Sequence, residues 1–461
     1  GGSLMKKLML ITAPVSSRSG YGEHSRDLVR AFLDSNKYDI KIMDCPWGEC
    51  PRNALKVDNP NDKKILDCIL LQPQTDRQPD VYVDIRIPNE FQQWGKFNIG
   101  ITAGIETNAV SQQWIEGCNK MDLIIVPSEH SKGGFVQTVY DKVQNMPDGS
   151  QQKVGELKLE KPMEVVFEGA DENIYKPLTI DEIDSDFFDM LNEKVPEKFA
   201  FLSVGQWTQG NYGEDRKDLG RTVKLFYETF ANKKKQPALI MKTSGAGYSI
   251  LDKENTLKKL NDIKQNFPKD WKLPNIYLLH GDLSHEEMNY LYNHPKVKAF
   301  VSLTHGEGFG RPMLEATMVG LPVIATNWSG QIDFLDGEKS ILLGGELQKV
   351  PKSVVWKDII IDQSQWFVVD ELQVHKALSY AFENQIELKN KAKSLMSINR
   401  EKFNFNSMSK ILNNIVENRT GSLPTQVGLK LPKLNKSGAT NIPKIKLPKL
   451  KKVNQTEGVS I

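Results

Sequence analysis

The feature that most constrains this chain is a rhythm. Short apolar runs of three to six residues alternate with longer stretches of helical periodicity. The first series of runs lies at 8–12, 40–43, 81–85, 97–102, 123–126 and 164–167. A second series lies at 199–204, 238–242, 276–279, 299–302, 323–325 and 341–343. Each run is rich in β-branched or aromatic residues and is bounded by Gly, Pro or polar clusters, as buried strands are. Helical patterns, such as 24–35 and 110–120, fall between them. Strand–helix alternation implies parallel sheets covered on both faces. Two series predict an α/β chain with two doubly wound, Rossmann-like domains.

The acidic, poorly periodic stretch from Thr179 to Lys198 separates the two series. It predicts a first domain over 5–195 and a second over 196–385. Amphipathic helices over 386–420 are expected to cross back to the first domain. From Gly421 onward the chain carries eight lysines, no arginine and one acid, Glu457. That segment is net +7, which leaves −5 on residues 1–420. Its recurrent Pro and sparse apolar residues predict a disordered basic arm. Such an arm suits an acidic partner, an anionic membrane surface or DNA phosphates.

Composition excludes several classes. Nineteen Phe and eight Trp among 461 residues can build cores, so the chain is not disordered throughout. No run of about 18 apolar residues predicts a membrane-spanning helix. The four cysteines do not form a disulfide framework, and Cys45 and Cys50 lack the second pair of a zinc site. Reduced thiols and the lack of a cleavable leader at Lys6–Val15 lead us to expect a cytoplasmic protein.

In doubly wound sheets, ligands bind at the carboxyl ends of strands, so the turns after those strands carry the chemistry. The richest is S-L-T-H-G-E-G-F-G-R-P-M-L-E-A-T, from Ser302. Gly306, Gly308 and Gly310 precede a helix, where backbone amides and the helix dipole favour an anion such as a diphosphate. Glu307 and Glu315 are acceptors suited to sugar or ribose hydroxyls.

This string, continued by G-L-P-V-I-A-T, resembles the E-x7-E signature of retaining glycosyltransferases of the family 4 type (glycosyl transferases group 1), which have the GT-B fold. The resemblance implies two Rossmann-like domains facing each other across a cleft, with the acceptor on the first and the donor on the second. It implies that Glu307 contacts the donor sugar. The loop amides of Gly308, Phe309 and Gly310 would bind sugar hydroxyls and diphosphate, and Glu315 the ribose. F-L-S-V-G-Q-W at 201–207, then D-R-K-D at 215–218, resembles the family's first strand and phosphate-binding loop. Lys217 would neutralise the leaving diphosphate with Arg216 beside it. Many relatives have Gly-Arg where this chain has Gly205-Gln206, which leaves Arg216 or Lys242 to supply the missing cation. In the first domain, S-R-S-G-Y-G is similar to the family's Gly-rich loop, with Gly20 and Gly22 as its phosphate- or acceptor-facing glycines. Glu106, beyond another strand end, is expected to contact donor or acceptor, with a plain loop role as the alternative.

The implied activity is retaining transfer of a sugar from a nucleotide-diphosphate sugar, UDP foremost, to an acceptor hydroxyl. No metal and no other cofactor is expected. Asp184-Ser185-Asp186 and His285-Glu286-Glu287 are read as surface features, and His280 and His305 as packing or polar contacts. Alternatives are an enzyme that glycosylates a modified DNA base, a nucleic-acid or anionic-surface binder working through the basic arm, and a sugar epimerase or phosphorylase on the same fold.

Overall fold

The computed structural model describes residues 5–208, 210–243 and 250–423. The basic arm expected over 421–461 lies outside the described residues from 424 onward. Among the described residues no helix is long and apolar enough to cross a membrane.

The chain divides into two compact units. The first contains β1 (Lys7–Ala13), β2 (Tyr38–Asp44), β3 (Val81–Ile85), β4 (Phe97–Ile101), β5 (Leu123–Val126), β6 (Tyr140–Asn145), β7 (Gln151–Leu157) and β8 (Met163–Val165). Its helices are α1 (Gly20–Ser35), α2 (Pro60–Leu66), α3 (Gln112–Asn119) and α4 (Glu129–Gln137). Six strands form one parallel sheet in the order β2-β1-β3-β4-β5-β8. Every residue of β3 and β5 is buried, as expected of strands covered on both faces. One face packs Leu28, Val29 and Phe32 of α1 together with Met408, Leu412 and Val416 of the C-terminal helix Phe405–Thr420.

The second unit holds β9 (Ala200–Val204), β10 (Ala238–Thr243), β11 (Ile276–His280), β12 (Val297–Ser302), β13 (Val323–Thr326), β14 (Ile341–Leu343), β15 (Gly345–Lys349) and β16 (Gln365–Val369). With them come α5 (Ser185–Lys194), α6 (Leu219–Phe230), α7 (Ile250–Lys264), α8 (His285–Asn293), α9 (Arg311–Met318), α10 (Glu371–Glu383) and α11 (Gln385–Lys402). Its parallel sheet runs β11-β10-β9-β12-β13-β14. Phe199, Phe201, Phe226 and Phe230 form the centre of its core, with Phe382 at their edge.

The twelve strands expected from the sequence are the twelve strands of these two sheets, with ends shifted by one or two residues. Two antiparallel pairs, β6–β7 and β15–β16, lie outside that expectation.

The boundaries differ from the sequence reading. The break falls between Glu168 and Gly169, not at 195/196. The acidic stretch is not a linker, because Phe187, Leu191 and Val195 are buried and Phe187 packs on Tyr290 of α8. Lys296 also donates to the Asn192 carbonyl at 3.2 Å. Of the helices over 386–420, α11 stays with the second unit and the helix Phe405–Thr420 belongs to the first. Residues 355–364 also belong to the first unit, where the Asp358 carbonyl accepts from Ser111 Oγ.

Candidate functional site

In the second unit the strand order reverses between β9 and β12, and loops leaving their carboxyl ends diverge there. The β9 loop delivers Arg216 and Lys217, and the β12 loop delivers Glu307. Lys217 Nζ lies 2.5 Å from Glu307 Oε1, and Arg216 Nη1 lies 2.6 Å from Oε2. One carboxylate thus takes two cations, one on each oxygen, as charge-assisted hydrogen bonds. The side chains are graded in exposure: Glu307 7%, Lys217 13% and Arg216 30%. Burial alone would raise the Glu307 pKa, but the adjacent Arg216 and Lys217 outweigh it and hold the carboxyl at about 2.

Local structure explains the aim of each group. The Lys217 stem runs past Gly205, where a Cβ would stand 3.0 Å from Lys217 Cγ. Gly205 therefore makes room for Lys217. Gln206 is exposed, and the buried Lys242 donates to the Gly281 carbonyl at 2.7 Å. The second cation on Glu307 is Arg216, not Lys242. Beneath the loop, Asp215 accepts from the Leu219 amide at 2.9 Å. Asp218, in the left-handed region at φ 51, holds Arg221 at 2.6 Å. Burial raises the pKa of Asp218 to about 6, against the opposing pull of Arg221.

The Glu307 main chain is pinned from the β13 side. Its amide donates to Ser329 Oγ at 2.9 Å, and its carbonyl accepts from Gly330 N at 2.9 Å. Ser329 is held at φ 79 and ψ −157, a conformation costly for any residue but glycine. Its hydroxyl donates onward to Gln331 Oε1 at 2.7 Å. A Cβ on Gly330 would fall 2.5 Å from the Gly308 carbonyl oxygen, so only glycine lets these two loops touch. Gly310, at φ +99, turns the chain into α9. The Phe309 side chain is buried against Phe334 with ring centres 5.0 Å apart. Only its backbone is left to meet a ligand. Glu315 is buried on α9, where Tyr292 donates to it at 2.9 Å and Arg311 stands 3.7 Å away.

The structure brings Arg216, Lys217 and Glu307 into direct contact, with Gly308 to Gly310 following Glu307 in the chain and Glu315 on the helix after them. Gly20, Gly22 and Glu106 belong to the other unit. The two glycines correct the expectation of a loop, because they form the first turn of α1. Ser19 caps that turn, and its Oγ accepts from the Gly22 amide at 2.9 Å. Gly22 is needed for contact, since a Cβ there would stand 2.1 Å from the Ser17 carbonyl oxygen, whereas Gly20 has open space. Glu106 is half-buried in the loop after β4, beside an Ile105 amide that donates to Ser131 Oγ. Asp184 caps α5 through the Phe187 amide, and His285 opens α8 behind the Ser284–Glu287 capping box.

Tyr292, Ser329 and Gln331 were not among the residues expected at the site, whereas His305, expected in packing or polar contacts, makes both. The available signal was W-S-G-Q at 328–331, a glycine next to a short polar residue.

Residues 222–343 match the family model described as Glycosyl transferases group 1. That segment contains Glu307 and Glu315 and stops short of Arg216 and Lys217. No curated protein matches the chain in sequence. Among solved structures, sucrose-phosphate synthase of Thermosynechococcus elongatus is similar at 12% identity and a TM-score of 0.59, over 91% of this chain and 100% of that one. HepE of Anabaena in complex with UDP-glucose is similar at 12% identity and a TM-score of 0.53, over 89% and 99%. A glycosyltransferase of Rickettsia africae gives 13% identity and a TM-score of 0.55, over 91% and 100%. At these identities the likeness is one of fold, the two-unit GT-B architecture.

Proposed function

With a group 1 glycosyl transferase segment at residues 222–343, we propose that this chain transfers a sugar from a nucleoside-diphosphate sugar to an acceptor hydroxyl with retention of anomeric configuration. The observation that carries the reading is the pair Arg216 and Lys217 converging on the buried Glu307 at the switch point of a parallel sheet. UDP is the nucleotide of first choice, because HepE, on the same fold, binds UDP-glucose.

The residues divide the work by charge. Arg216 and Lys217 face the donor diphosphate and stabilise the charge that grows on it as the sugar departs. They already hold one anion, Glu307, so the arriving diphosphate competes with that carboxylate for both cations. Glu307, kept ionised by its two neighbours, is a pure acceptor for sugar hydroxyls. The turn at Gly308–Gly310 admits close approach of a ligand to the backbone ahead of α9. Glu315, steadied by Tyr292, accepts from the ribose hydroxyls. The acceptor then attacks from the face that the leaving diphosphate has vacated.

The test is a thermal-shift panel of UDP-, GDP- and ADP-sugars, followed by NMR of the anomeric proton on the sugar transferred from the best donor. A stabilising donor whose product keeps its anomeric configuration supports the reading. No shift with any nucleotide sugar contradicts it.

A further inference from the structure

His305 makes more connections than a core histidine needs. Its Nε2 faces the Gly213 carbonyl oxygen at 2.8 Å, and its Nδ1 faces the Phe367 carbonyl oxygen at 2.6 Å. Its amide donates to the Arg216 carbonyl at 2.8 Å, and its own carbonyl accepts from Phe367 N at 2.9 Å. Thr304 adds a second donor to the Arg216 carbonyl at 3.3 Å. The ring lies flat on Trp366, 4.2 Å between centres and 11° between planes, and is fully buried. Three chain segments are thereby joined at one residue: the start and middle of the cationic loop, the loop of Glu307, and strand β16.

The ring chemistry makes the joint specific. Carbonyl oxygens only accept, so a neutral imidazole donates to one of them and an imidazolium to both. Burial, the largest influence, lowers the ring pKa, while the two carbonyls and the Asp215 charge pull it up and Arg221 adds to the lowering. Asp218, 3.5 Å from Nε2, is the nearest carboxylate. In either protonation state at least one end of the bridge is donated by the ring, and the two main-chain bonds persist.

We propose that His305 is a positioning residue that fixes the backbone of the Arg216–Lys217 loop opposite Glu307, and so sets where the two cations meet the donor diphosphate. The inference deepens the proposed function and rests on it for the word donor. The clamp itself stands on the geometry alone. His305 acts through Arg216 and Lys217, so its contribution to turnover exists only while those side chains are present.

Two measurements separate this role from ordinary packing. Hydrogen exchange by mass spectrometry compares wild type with His305→Ala. Amides of 213–218 and 366–367 are expected to exchange about tenfold faster or more, with β9 and β12 unchanged. Unchanged exchange in the loop, or equal acceleration throughout the unit, overturns the proposal. Donor turnover is then measured in a cycle with Arg216→Ala/Lys217→Ala. His305→Ala is expected to cost about tenfold in wild type and less than about threefold in the background without the cations. Losses that multiply fully would overturn the proposal. If His305→Ala does not fold, His305→Gln takes its place, since its amide reaches one carbonyl, and the same outcomes apply. If wild type turns over no nucleotide sugar, the proposed function fails, while the exchange data still decide the clamp.

Discussion

Both units place a buried carboxylate and an arginine at the carboxyl end of a switch-point strand, and the two pairs are built differently. In the first unit, Asp84 near the end of β3 is gripped by Arg86, two residues on, with Nε at 2.7 Å and Nη2 at 2.8 Å. Tyr82 Oη and the Gln92 amide donate to its Oδ2 at 2.9 and 3.0 Å. Both partners leave the same strand end, and the carboxylate takes four hydrogen bonds and is fully buried. In the second unit, Glu307 and its cations come from different loops, and Arg216 keeps a third of its side chain in solvent. A pair closed within one strand end acts as a lock. A pair assembled from two loops, with an exposed cation, can open to another anion. The same sheet topology therefore carries one ion pair closed within a strand end and one assembled from two loops.

The comparison breaks most visibly if the lock is removed. Asp84→Ala leaves Arg86 without its partner in a buried setting and is expected to cost about 3–5 kcal/mol, read as a large fall in the urea midpoint. Lys217→Ala should do the reverse. The fold survives with a near-normal midpoint, while donor turnover falls about 10²–10³-fold. Equal stability losses in the two variants would erase the distinction.

Protonation offers a finer probe. Glu307 titrates at about 2, below its ordinary 4.5. A depressed folded-state pKa contributes stability that is complete above pH 4.5 and is lost as pH falls through 2. In an Arg216→Ala/Lys217→Ala variant burial is opposed by the Thr304 hydroxyl but no longer by the two cations, so the carboxyl should titrate higher than in wild type and its contribution shrinks. Carbon-13 NMR of labelled glutamate reads both midpoints. The smallest contrast is between two neighbouring glycines. Gly22→Ala drives a Cβ into the Ser17 carbonyl and should cost about 1–3 kcal/mol. Gly20→Ala has open space and should stay within about 0.5 kcal/mol by thermal melting.

The parallel strands were legible because strands buried on both faces read as short apolar blocks. The β6–β7 hairpin was not, because only Tyr140 and Leu157 of its strand residues are buried and the rest mix Lys, Gln, Asp and Glu without an apolar face. The unit boundary was misread because an acidic surface on α5 masked the apolar stripe of Phe187 and Leu191 facing α8. At the site, the E-x7-E spacing pointed to Glu307 and Glu315, and the D-R-K-D string to the cations. What no local pattern encodes is pairing across about ninety positions, such as Lys217 with Glu307 or His305 with Gly213. Chain topology makes those pairs neighbours. Gly20 and Gly22 were misassigned because a Gly-x-Gly after a strand reads as a loop, while Ser19 starts the helix one residue earlier.

The central claim is that the Arg216–Lys217–Glu307 cluster is an exchangeable anion site for a nucleoside diphosphate. Isothermal titration calorimetry of UDP into wild type and into Arg216→Ala/Lys217→Ala tests it directly. Measurable binding to wild type is expected, weakened about tenfold or more in the variant, as loss of charge-assisted hydrogen bonds requires. Equal affinity in both proteins would contradict it.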